Sequence, residues 1–169
     1  MRKIPKKNYF ILILILGFTV GLVLYSRSWY IMSKEYYAQN SVIKDVAREI
    51  NENELDSFAT ENQKFILYVS SGNNGEVKEF EEKFKKSIIK LNIQDYVLYL
   101  NLDNVDDYFS NYLRDRFAFN NKIANQFSSK SLSTIYLFED GRITFLINNV
   151  QGYSIKYIES IVNDWSLKW

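Results

Sequence analysis

Between Lys7 and Arg27 lie 19 consecutive residues without a charge, most of them Ile, Leu, Val or Phe. As a helix rising 1.5 Å per residue they reach about 28 Å, close to the ~30 Å hydrocarbon thickness of a bilayer. Tyr9, Tyr25, Trp29 and Tyr30 stand where amphipathic rings settle at the headgroup level. Arg2, Lys3, Lys6 and Lys7 precede the run and only Arg27 follows it closely. The positive-inside rule therefore predicts a cytoplasmic N-terminus and an exported remainder. Residues 25–30 lack the small-x-small pattern of a signal-peptidase site, which favours an uncleaved anchor. The expected organisation is a basic cytoplasmic tail over 1–7, a single transmembrane anchor over 8–26, a juxtamembrane segment over 27–40 and an extracytoplasmic domain over 41–169.

The charge distribution follows the same division. All 20 acidic residues come after position 34, whereas five of the 21 basic ones lie before position 30. The body is left with a net charge of −4, which argues against a nucleic-acid partner. Cys and His are both absent. Without them there is no disulfide, no thiolate nucleophile, no thiolate or imidazole metal ligand and no imidazole base, so neither a cofactor nor a metal is expected. With 47% hydrophobic and 17% aromatic residues, one Pro and six Gly, the body reads as folded throughout.

Hydrophobic periodicity gives the order of elements. Val42, Val46 and Ile50 recur at helical spacing and predict a helix continuing from the membrane, with a second short helix near 55–59. The run at 65–69 is short, apolar and rich in β-branched and aromatic residues, as in a strand buried on both faces. Val77, Phe80, Phe84, Ile88 and Leu91 then mark one face of a helix. Glu79/Lys83, Glu81/Lys85 and Glu82/Lys86 at i,i+4 read as its solvated face. A second buried strand is predicted over 96–102, one or two aromatic-rich helices over 105–127, and a hairpin at 134–138 and 143–147 joined across Asp140-Gly141. Ile155, Ile158, Ile161, Val162 and Trp165 close the chain on a last amphipathic helix. Such alternation predicts a three-layer α/β fold with a mixed sheet, its two β-α-β links parallel.

In this register the chain resembles the thioredoxin fold, in particular membrane-anchored thioredoxin-like accessory proteins of Gram-positive bacteria such as those found with bacteriocin export systems. The Gram-positive source agrees with a Lys-, Asn-, Ile- and Tyr-rich, Pro- and His-poor composition. The family carries Cys-x-x-Cys where the first long strand meets its helix. With Phe80 as the apolar residue three past the second Cys, Asn74 and Val77 take the two Cys positions. Ser133, before Thr134, takes the place of the family's cis-Pro. Thiol–disulfide exchange needs a thiolate, so the resemblance implies a thioredoxin-like module that has lost its redox chemistry.

The candidates that remain are binding positions. Residues 73–76 open a helix, where an anion could sit, but Asn73 or Asn74 reads better as the N-cap and Glu76 as a complement to the helix dipole. Ser128-Ser129-Lys130-Ser131 lacks the Ser-x-x-Lys spacing of a nucleophile, and the acidic pairs Asp106-Asp107 and Glu81-Glu82 read as solvated surface. Tyr108 with Phe109, and Phe117 with Phe119, cannot share one narrow helix face, so some of these rings must lie outside the core. A docking surface is expected on Tyr108, Phe109, Tyr112 and Phe119 with the adjoining turn Ser71, Gly72, Asn73 and Gly75, and Phe109, Tyr112 and Phe119 are expected to point outward. The resulting expectation is a non-catalytic accessory or scaffold in an envelope, secretion or transport complex, bound to another membrane or envelope protein. An immunity-type protein that captures a peptide or small ligand, and an enzyme using carboxylates or a Ser/Lys pair, stand as alternatives.

Overall fold

The computed structural model describes residues 6–39, 41–71, 74–106, 108–128 and 130–166. Two compact units are distinguished, Met1–Gln39 and Asn40–Trp169. The first is one helix, α1 (Lys6–Gln39). Its stretch Ile13–Met32 is long and apolar enough to cross a membrane, and none of it is buried against protein. The Thr19 hydroxyl donates to the Ile15 carbonyl at 2.8 Å, which satisfies it inside the helix. No Gly or Pro interrupts 27–39, and the helix runs past the expected anchor to Gln39.

The second unit holds a five-stranded sheet made of β1 (Arg48–Glu49), β2 (Lys64–Ser70), β3 (Val97–Asn101), β4 (Ser133–Glu139) and β5 (Arg142–Asn148), in the spatial order β1-β3-β2-β4-β5. β1 and β2 both run parallel to β3, whereas β4 runs antiparallel to β2 and β5 antiparallel to β4. The helices are α2 (Glu52–Glu61), α3 (Gly75–Leu91), α4 (Phe109–Phe117), α5 (Asn121–Ala124) and α6 (Ile155–Ser166). Two cores lie on either side of the sheet. One joins Phe80, Phe84 and Ile88 of α3 with Ile158, Val162 and Trp165 of α6. The other joins Leu55 and Ala59 of α2 with Phe109, Leu113 and Phe117 of α4 and Ile123 of α5. β2 lies between them, and its residues 65–70 are all buried, as a continuous apolar run requires. The predicted hairpin forms, with Asp140 and Gly141 both at positive φ (50° and 72°), the pair of conformations a two-residue Asp-Gly turn needs.

Two expectations need correction. The predicted helix through Val42, Val46 and Ile50 is instead a single 3₁₀ turn at Val42–Asp45, capped by Ser41, followed by β1. Ile43 and Ala47 enter one core and Ile50 the other, so the apolar residues here never formed one stripe. The link from β3 to β4 is also not parallel. The two parallel connections run β1-α2-β2 and β2-α3-β3, and the first of them depends on a strand of only two exposed residues, Arg48 and Glu49.

Candidate functional site

At the top of β2 the chain turns into α3. Asn74 is the N-cap, its side-chain oxygen accepting from the backbone N–H of Glu76 (2.9 Å) and Val77 (3.3 Å). Val77 is buried in the core. The two positions matched to the family's cysteines thus hold a cap and a packing residue, and neither presents a reactive atom. Gly75 has open space around it, while Gly72 and Asn73 lie outside the described residues.

Ser133 is buried and pairs with Ser70 across β2 and β4. Its hydroxyl donates to the side-chain carbonyl of Gln151. The turn before it is held closed: Ser131 Oγ donates to the Ser133 carbonyl (2.8 Å), the Leu132 N–H donates to Asn149 Oδ1 (3.2 Å), and the Leu132 carbonyl accepts from the Ser71 N–H (3.1 Å). The peptide bonds among the described residues are all trans. Ser128 Oγ accepts the Lys130 N–H at 3.3 Å, an ordinary turn contact.

Beside this turn lies a cleft of about 500 Å³. Val69, Leu102, Phe109 and Tyr136 line it as apolar residues, and Asp106, Tyr108, Ser110, Asn111, Ser128 and Ser131 among its polar ones. Burial pushes the Tyr136 hydroxyl up to about 12. Tyr108 is 76% exposed at the mouth of the cleft.

The expected aromatic surface is therefore brought together only in part. Tyr108 and Phe109 meet Ser131 and Thr134 at the cleft, but Phe109 is 2% exposed and belongs to the core, contrary to expectation. It opens the stripe Phe109, Leu113, Phe117 of α4 at spacings of four, and that register sends its ring inward. Tyr112 is half-buried too, its hydroxyl donating to Asp56 at 2.7 Å and its ring packed on Phe109 and Phe117. The Asp56 contact, after burial, helps push the Tyr112 hydroxyl up to about 12. Phe119 is outward, at 63% exposure, but lines a separate surface with Phe145 beside β5. Ser71 contributes indirectly, donating its hydroxyl to Asp103 at 2.7 Å.

Sequence reasoning missed a buried carboxylate. Glu81, expected on the solvated face of α3 with Lys85, is fully buried. Its Oε1 accepts from the hydroxyls of Ser70 (2.7 Å) and Tyr68 (3.1 Å), and its Oε2 from the Ser41 hydroxyl (2.8 Å) and the Val42 N–H (3.2 Å). Lys85 pairs with Asp45 instead. Of the three expected pairs Glu79–Lys83 does form, at 2.7 Å. Glu81 stands four residues after Val77 and three before Phe84, on the inner stripe itself, and that spacing was the available signal.

No family model matches the chain, and no curated protein matches it either. Among solved structures, mitochondrial thioredoxin 3 from Saccharomyces cerevisiae is similar at 14% identity and a TM-score of 0.49, covering 72% of this chain and 98% of that one. A thioredoxin mutant from Halobacterium salinarum is similar at 13% identity, TM-score 0.47, with 72% and 91% covered. A thioredoxin of Plasmodium falciparum is similar at 13% identity, TM-score 0.46, with 68% and 98% covered. These likenesses concern the fold alone, and the chain's own sheet is mixed and five-stranded, in the order β1-β3-β2-β4-β5.

Proposed function

We propose that this chain is a membrane-tethered, redox-inactive thioredoxin-like module that works by protein–protein contact in an envelope, secretion or transport complex. One observation carries the reading: where the fold would place its thiols, Asn74 caps a helix and Val77 packs the core. With no Cys anywhere in the chain, exchange chemistry has no attacking group. What remains beside that junction is a cleft with an apolar lining, a polar rim and an exposed Tyr108 at its mouth, the composition of a contact surface. The tether is α1, oriented by its basic N-terminal flank with the second unit outside the cell membrane. Native gels of mildly solubilised membranes test the binding role. The chain is expected to migrate in a complex larger than itself that Tyr108→Ser dissolves, and migration at its own size in the unaltered protein would overturn the reading.

A further inference from the structure

Glu81 is fully buried, and no Lys or Arg among the described residues pairs with it. Its carboxylate is held by hydrogen-bond donors alone. An apolar residue of similar volume in such a place is often at least as stabilising as a buried charge. What an apolar residue does not provide is direction: the lone pairs of a carboxylate fix where each donor stands. The position of the donors, more than the stability they add, is therefore what this side chain determines.

The two oxygens serve different parts of the chain. Oε2 receives the Ser41 hydroxyl and the Val42 N–H, which belong to the first described residues after α1. Oε1 receives the Tyr68 and Ser70 hydroxyls of β2. Ser70 is the last residue of β2, and the cleft is built from its neighbours on both sides. Val69 lines the cleft, as does Thr134, its register partner on β4. Ser71 gives its N–H to the carbonyl of Leu132, next to the lining residue Ser131, at 3.1 Å. It gives its hydroxyl to Asp103, next to the lining residue Leu102, at 2.7 Å. The strand end that Glu81 holds thus ties together the loops on either side of the cleft.

We infer that Glu81 is a positioning residue: it sets the end of β2, and through it the cleft, against the residues at which the chain from α1 enters the second unit. Unseating Ser41 therefore reshapes the cleft through a continuous hydrogen-bonded path. The bearing of this on docking rests on the cleft being the surface proposed above, whereas the reshaping itself is read with no partner present. Full-length ¹⁵N-labelled protein in nanodiscs of neutral lipid tests it. Ser41→Ala should move the amide resonances of Asp103, Ser131 and Thr134 as well as those around position 41. Ser41→Thr keeps the hydroxyl and should leave these three in place. So should Ile43→Val, a small apolar change in the same segment. In a Ser70→Ala background, where Glu81 no longer holds the strand end, Ser41→Ala should leave Asp103 and Ser131 unmoved. Shifts confined to residues 41–47 and α3 would overturn the inference, as would shifts at Asp103 and Ser131 that persist undiminished with Ser70→Ala or arise equally from Ile43→Val. Migration of the unaltered protein at its own size on native gels would overturn the docking surface and leave the positioning role standing.

Discussion

Four donors converge on the buried Glu81 carboxylate, from Ser41, Val42, Tyr68 and Ser70. A carboxylate removed from water is costly unless such donors replace its hydration. Removing it would in turn strand three hydroxyls and a backbone N–H. Glu81→Gln, which keeps the shape but sets an amide NH2 donor against donors, should therefore lower the unfolding free energy by about 2–4 kcal/mol, read from the urea midpoint. A change below about 0.5 kcal/mol would show that the cluster contributes little. The same site governs the alkaline limit. Burial first, and the Glu81 charge next, raise the Tyr68 and Tyr99 phenols well above the ordinary value of about 10. A folded-state value above the unfolded one favours the native state below that value. The contribution is lost as pH rises past about 10 toward the folded values. Absorbance at 295 nm should accordingly show these phenols ionising together with loss of near-UV circular dichroism. A smooth titration of all 13 tyrosines with the native spectrum intact would contradict this.

Elements with a strong period were legible in the sequence, and those fixed by tertiary context were not. β2, α3, β4, β5 and α6 follow from apolar runs, from i,i+3/i+4 spacing and from Asp140-Gly141. β1 was invisible because two charged, exposed residues carry no pattern, and only pairing with Leu98 and Tyr99 makes them a strand. At α4 the argument that Tyr108 and Phe109 must diverge was sound, while the choice of which turns outward needed the helix start. Phe109 is the first residue of α4 and Tyr108 its cap. Of the candidate site, the location beside Ser133 was legible. The closed turn at Leu132 was not, because its partner Asn149 lies seventeen residues away. Phe109→Ala should therefore cost about 3–5 kcal/mol as a core truncation, whereas Tyr108→Ser should stay within about 0.5 kcal/mol. Comparable losses for both, measured by thermal melting, would place Tyr108 in the core.

For the molecule as a whole, the proposed orientation rests on the long apolar helix and the charge asymmetry around it. A reporter fused after Trp169 should be active only outside the cytoplasm. Placing several Lys in residues 28–33 while neutralising Arg2, Lys3, Lys6 and Lys7 should weaken or invert that orientation. Cytoplasmic activity in the unaltered chain would remove the extracytoplasmic assignment. The central claim, that a thiol-free thioredoxin-like unit binds a protein through its cleft, is tested most directly by photo-crosslinking in native membranes. A photoreactive residue at Asn111, on the cleft lining, should give one discrete adduct of higher mass. The same group at Glu82, exposed on α3 across the sheet, should give none. Adducts from Glu82 alone, or none from Asn111, would contradict it.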